Sequence, residues 1–281
     1  MAGSGDDLGK DAGIDRVRAQ ILNPAWAKSL QAIASEIQKV FAAAQVAYDA
    51  LKPGLDAVAS AVLQIAKVLP DLLDTLPPNI RGLGAGMDLD RILDLATNEG
   101  IQFAYVPPTA VISKILAVPD PGARRRVIRN NARTILAACE SELALVARGD
   151  LLRHVAFAEH AALAMRAGYR DASQALCANL LDTILADQLG PLKKAVTSQK
   201  SKPKVDDFSV RAAITLLGIW SAHGQYFPEQ GDLVPRTYSR HGTVHGVSRR
   251  QFTVVNATLA LMHVTALLRL LDSQPAVSSS P

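Results

Sequence analysis

Apolar residues recur along much of this chain in steps of three and four, the spacing that lines up one face of an α-helix. From Pro24, the positions Trp26, Leu30, Ile33, Ile37, Val40 and Ala44 trace one such stripe. Lys52-Pro53-Gly54 breaks it, and Leu55, Val58, Val62, Ile65 and Leu69 carry a second helix that ends before Pro70. Two such helices joined by a short turn predict an antiparallel hairpin, whose ordinary use is packing. Residues 70–122 are less regular. Pro77-Pro78-Asn79 and the glycines at 82, 84 and 86 mark loops, Asp88 to Asn98 reads as a short helix, and Phe103 to Val106 as one short extended piece. Gly82-Leu83-Gly84-Ala85-Gly86 has no Lys-Ser/Thr after it, so it reads as a connector and not as a phosphate loop.

Beyond Asp120-Pro121-Gly122 the pattern becomes cleanly helical. One helix is predicted to run to about Arg148, carrying Arg124, Arg125, Arg126, Arg129 and Arg133, a cluster that as a rule forms a solvated face. Gly149-Asp150 stops and restarts the chain, and a helix follows from about Leu151 to Ala167. Asp171 or Ser173 then caps another, with Leu176, Leu180 and Ile184 on its buried face. Lys193 to Lys204 holds five lysines and reads as a basic loop. Asp206 or Asp207 caps a helix through Val210, Ile214, Leu217 and Trp220, and Gly224 to Pro235 is a loop. Phe252, Val255, Leu259, Met262, Ala266 and Leu270 trace a last, amphipathic helix. No strand alternation and no repeat stands out, so the expected class is all-α: a helical bundle preceded by an N-terminal helical hairpin region. The boundaries are a flexible tail over 1–14, an N-terminal helical region over 15–119, the bundle over 120–273, and a tail over 274–281.

Composition narrows this only slightly. Hydrophobic residues make up 49% of the 281 and charged residues 20%, a globular balance. A net charge of +4 permits an anionic partner without requiring one. Cys139 and Cys177 lie within apolar helical patterns, which predicts buried thiols in a reducing compartment and neither a disulfide framework nor a zinc site. The polar, acidic start Met1-Ala2-Gly3-Ser4-Gly5-Asp6-Asp7 does not read as a signal peptide. No window was expected to reach the roughly 18 charge-free residues of a spanning helix. The expectation is a soluble, cytoplasmic protein with no membrane contact.

The candidate chemistry lies in Arg240-His241-Gly242-Thr243-Val244-His245. An arginine can fork two oxygens of a phosphate and balance charge developing on phosphorus, while an imidazole titrating near neutrality moves protons. The structural alternatives are a histidine that merely bonds at a helix start and an arginine paired with Glu229 or Asp232. His241 and His245 could also chelate zinc from one helix face, with His223 as the convenient further imidazole, but no third Cys or acidic ligand stands nearby. His154, Glu159 and His160 form a smaller group read as surface or boundary residues, Glu159 being a remote candidate for supporting the site.

The wider string Ser239-Arg240-His241-Gly242-Thr243-Val244-His245-Gly246 resembles the motif of the HEPN superfamily of helical domains. There an arginine is followed by a polar residue and, four to six positions on, by a histidine, ahead of a long apolar helix. Ser239 stands where asparagine is usual. The likeness covers about residues 120–273. It implies a metal-independent endoribonuclease of defence or toxin type, built as a homodimer with two motifs facing each other and using no cofactor. His245 would act as general base or acid, Arg240 would stabilise the phosphorane, and His241 would position the phosphate or the partner imidazole. RNA, a second copy of the chain and a regulatory or antitoxin protein are the implied partners. A non-catalytic module binding a nucleotide, RNA or protein is the alternative. The spacing of Arg240 and His245 does not suit one face of an ideal helix, which predicts that Arg240 lies in a loop or first turn, with Gly242 easing the bend.

Overall fold

The computed structural model describes residues 75–200, 202–203 and 208–273. The expected N-terminal hairpin, both tails and the Asp206/Asp207 cap lie outside the described residues. Within them the protein is all-α. Eleven α-helices, α1 (Pro78–Arg81), α2 (Leu89–Glu99), α3 (Thr109–Leu116), α4 (Pro121–Asn130), α5 (Ala132–Leu143), α6 (Leu152–Arg166), α7 (Arg170–Leu189), α8 (Leu192–Thr197), α9 (Val210–Ala222), α10 (Arg240–Val244) and α11 (Val254–Asp272), follow one another with short 3-10 turns between some of them.

α11 is the axis of the bundle. α4, α5, α6, α7 and α9 all pack against it, and α2 closes the far side of α9. Its apolar residues are buried around the whole circumference, so the amphipathic stripe read along it is one side of a helix that has no wet side. By length and composition α11 is also apolar enough to cross a membrane, contrary to the expectation that no window would be; 89% of its most apolar window is buried inside the bundle. Thr253 caps its start by accepting from the Asn256 amide.

Elsewhere the helix boundaries follow local chemistry. Asp88 accepts from the Arg91 amide and Gly100, at φ 65°, ends α2 in the left-handed conformation, so the short helix expected at Asp88–Asn98 forms almost in place. Asp120 caps α4 through the Ala123 amide, but the expected single helix to Arg148 is two, because the chain leaves helical geometry at Asn131. Asn131 turns its side-chain amide back to the Val127 carbonyl at 2.7 Å, the local competition with the backbone that asparagine is prone to. α7 starts one residue before Asp171, with Tyr169 as N-cap and no side-chain cap. Part of the expected lysine-rich loop winds into α8. Ser209 caps α9.

Phe103–Val106 pairs with no strand. It turns beneath the Gln102 carboxamide, whose oxygen accepts from the Phe103 and Ala104 amides at 2.9 and 3.0 Å. Residues on both sides of the boundary placed at 120 enter one continuous core, from Leu76, Ile80 and Ile92 through Ile135, Leu181 and Leu217 to Leu267. The α4 arginines divide: Arg124 is buried against Glu99, with its Nε donating at 2.9 Å, while Arg126, Arg129 and Arg133 face solvent.

Candidate phosphate-handling site

The Arg240–His245 motif does not open the last helix. It forms its own five-residue helix, α10, separated from α11 by residues 245–253. Ser239 is the N-cap: its hydroxyl accepts from the Gly242 amide at 3.0 Å. Arg240 is therefore the first helical residue, as its spacing to His245 predicted. Gly242 serves a close approach and not a bend, since a Cβ there would come within 3.2 Å of Gln251 Nε2.

So short a helix cannot hold itself together, and a buried amide network fixes it. The Gln251 oxygen accepts from the Ser239 amide at 3.1 Å, and its nitrogen donates to the carbonyls of Pro235 and Thr237 at 3.2 and 3.1 Å. Gln174 on α7 donates to the Thr243 hydroxyl at 2.9 Å. Asn256 in the first turn of α11 donates to the Gln251 carbonyl at 2.7 Å, and Arg125 on α4 donates to the Asn256 oxygen at 3.1 Å. Three helices thus hold the loop that carries the motif.

Arg240 pairs neither with Glu229 nor with Asp232. Its terminal nitrogen reaches Asp182 on α7 at 3.2 Å, and the other oxygen of the same carboxylate takes Lys193 from α8 at 2.9 Å. Arg240, Lys193 and Asp182 are each partly exposed, the Arg240 side chain least at 19%. Burial alone would push the Asp182 carboxyl up, but the Lys193 hydrogen bond and the charges of Arg240, Lys193 and His223 outweigh it, and the group sits below the usual carboxylate range. The Arg240 Nε is buried and has no hydrogen-bond partner.

His241 and His245 lie beside each other, their ring centroids 5.5 Å apart and tilted by 41°. Desolvation first, then the charges of Arg240 and His245, lower the His241 pKa against the pull of Asp182. His245 is exposed at the C-terminus of α10. The motif residues are thus brought together, with Arg240 facing Asp182 and the two imidazoles adjoining.

His223, at the C-cap of α9, completes the cluster. Its ring interacts electrostatically with Asp182, Arg240 and His241. The Nδ1 donates to the Ile219 carbonyl at 2.8 Å, and Nε2 is buried without a partner. Burial is the main reason its pKa falls to about 4. Sequence reading considered His223 only as a spare metal ligand and missed Asp182 and the specific role of Lys193. No spacing rule could find Asp182, because its partnership exists only once α7, α8 and α10 are packed.

The second group separates in space. His154 is buried, with its Nε2 3.4 Å from Asp187, whereas Glu159 and His160 are exposed, so the expectation of surface or boundary residues fails for His154. Cys139 and Cys177 are buried free thiols, and burial raises the pKa of Cys139 to about 12. Among the described residues no trio of His, Cys, Asp or Glu is placed to hold a metal ion.

Fold and site together define an all-α bundle with a guanidinium, an ammonium, two imidazoles and one carboxylate at a rim fixed by buried amides, and a third imidazole, His223, buried within reach of their charges. No family model, curated protein or solved structure matches the chain.

Proposed function

We propose that the Arg240 cluster binds an RNA phosphodiester and cleaves it without a metal, as the resemblance to HEPN ribonucleases implies. The observation that carries this reading is the meeting of Arg240 with two adjoining imidazoles on a capped, rigidly held turn. In the reaction the ribose 2′-oxygen attacks the adjacent phosphorus and the bond from phosphorus to the 5′-oxygen breaks. The 2′-hydroxyl proton passes to a neutral imidazole, an imidazolium returns one to the leaving 5′-oxygen, and the products are a 2′,3′-cyclic phosphate and a 5′-hydroxyl. His245, the exposed ring, is the proton carrier, His241 positions the phosphate or a partner imidazole, and Arg240 stabilises the charge that builds on the equatorial oxygens. A homodimer with two motifs face to face supplies acid and base from equivalent histidines. A regulatory or antitoxin protein would hold such an activity in check in the cytoplasm.

One observation favours a second reading, a non-catalytic module that binds a nucleotide, RNA or protein. Arg240 already has a carboxylate partner in Asp182. A phosphate must displace that carboxylate, and a site with an internal counter-ion can serve recognition as well as chemistry.

The two readings part in one experiment: incubation of RNA with the protein in EDTA, beside Arg240→Ala and His245→Ala. Cyclic-phosphate ends from the wild type alone support the nuclease. Arg240-dependent binding with no cleavage by a dimeric protein supports the module.

A further inference from the structure

A buried polar atom without a partner is rare in folded proteins, because leaving it unmade is expensive. Seven occur among the described residues, and the two that belong to the charged cluster are of opposite kind. Arg240 Nε–H is a donor. His223 Nε2 is an acceptor: the Ile219 carbonyl can only accept, so the ring hydrogen lies on Nδ1 and Nε2 keeps its lone pair. The depressed basicity of His223 holds the ring neutral near pH 7, so it does not become a second donor to an anion. A ligand that satisfies both atoms presents an acceptor oxygen beside a hydroxyl hydrogen. A ribonucleotide carries that pair in its phosphate and its 2′-hydroxyl; a deoxyribonucleotide lacks the hydroxyl.

Resting on the RNA reading above, we propose that His223 is a specificity-determining residue of this site, accepting a hydrogen bond from the 2′-hydroxyl of the nucleotide on the 5′-oxygen side of the phosphate that Arg240 and Lys193 hold, not from the attacking 2′-hydroxyl. In the free protein both atoms are buried. Transfer of Arg240 from Asp182 to a phosphate opens the way to them. The helix position of His223 suits the task, because the ring is aimed by its bond to the preceding turn of α9 and does not depend on the ligand for its orientation.

The test measures binding of a fluorescent single-stranded oligoribonucleotide and of its all-2′-deoxy counterpart, both containing uracil, in EDTA. A His245→Ala background prevents cleavage during the titration. One hydrogen bond to a buried acceptor predicts a ribose preference of roughly tenfold. His223→Asn keeps a donor for the Ile219 carbonyl and removes the Nε2 acceptor, and is expected to abolish the preference by weakening RNA alone. His223→Gln, which places an amide oxygen near the lost nitrogen, is expected to restore part of it. A merely structural histidine would move both affinities together.

Equal ribose preference in the parent protein and in His223→Asn overturns the assignment while leaving the phosphate reading intact, provided Arg240→Ala weakens both oligonucleotides. Loss of neither affinity on Arg240→Ala overturns the phosphate reading and this inference with it. Nitrogen-15 NMR of the unsubstituted imidazole gives the same answer without relying on a variant that folds: the His223 Nε2 resonance shifts with the RNA and not with the DNA, and an identical response to both counts against the assignment.

Discussion

Two of the three buried histidines of this bundle, His263 and His223, are far lower in basicity than a free imidazole, yet they do different things. His263, on α11, has every hydrogen-bonding atom accounted for. Its Nε2 donates to the Gly100 carbonyl at 3.1 Å, and its Nδ1 accepts from Gln102 Nε2 at 3.5 Å, while that amide also reaches the Thr215 carbonyl at 3.1 Å. Tyr238 stacks on the ring at 5.6 Å, and Gly218 lies so close that a Cβ there would be 3.0 Å from its Cε1. His223 has one nitrogen satisfied and one left over, among charges. A core histidine whose bonds close on its own neighbours locks packing, here joining the loop after α2 to α9 and α11. A histidine with an open acceptor among charged groups has a bond left to make. Burial and depressed basicity are common to both; the hydrogen-bond inventory tells them apart.

Acid acts on both alike, and has the largest effect. Both folded-state pKa values lie below the ordinary 6.5, at about 3 for His263 and about 4 for His223. Below pH 6.5 the unfolded chain takes up protons that the folded chain refuses, so the stability present above 6.5 drains away as pH falls toward 4. The loss is expected to be on the order of 5 kcal/mol for the two together, measured as the urea midpoint against pH. His263→Gln and His223→Gln should each remove roughly half of that slope, and a slope unchanged in both would place the acid sensitivity elsewhere.

At pH 7.5 the two part. His263→Ala leaves Gln102 and the Gly100 carbonyl unpaired in a packed core and is expected to cost about 3–4 kcal/mol. His223→Ala loses one bond to a helix-end carbonyl and is expected to cost about 1 kcal/mol. Chemical denaturation with a constant m-value checks both. Between these in effect stands the amide clamp: Gln251→Leu should cost about 2 kcal/mol and speed hydrogen exchange at Ser239, Gly242 and Thr243, which tests whether the motif turn is held from below. The smallest effect belongs to Asp182→Asn. Its partners are partly exposed, and loss of the ion pairs is expected to change stability by less than about 1 kcal/mol, seen as a near-unchanged melting temperature.

The same contrast explains what could be read in the chain. The short helix opening at Asp88, the helix start at Asp120-Pro121-Gly122 and the stripes of α7 and α9 were legible because they rest on neighbours within a turn or two. Arg240 fell in a first turn for the same reason. The split at Asn131 was not legible, since neither Pro nor Gly marks it and a side-chain bond to Val127 makes it. α11 showed one stripe because a helix buried on all sides has no polar face to set the stripe off. α8 hid behind its lysines. Above all, Asp182, His223 and Arg240 come from three separate elements, and only packing reveals that a carboxylate already occupies the guanidinium and that an imidazole waits beside it. His263 likewise gave no sign of being a core residue, since its partners Gly100 and Gln102 lie far away in sequence.

On the proposed function Arg240 is a phosphate ligand held back by Asp182, not a structural cation. This is tested most directly by titrating single-stranded RNA, in EDTA and at low salt, into the wild type, Arg240→Ala and Asp182→Asn. Opposite signs are expected: Arg240→Ala weakens binding by tenfold or more, and Asp182→Asn, which frees the guanidinium and Lys193, tightens it several-fold. If the two variants weaken binding alike, or neither alters it, Arg240 and Asp182 are a structural pair and the phosphate-handling reading of this rim is wrong.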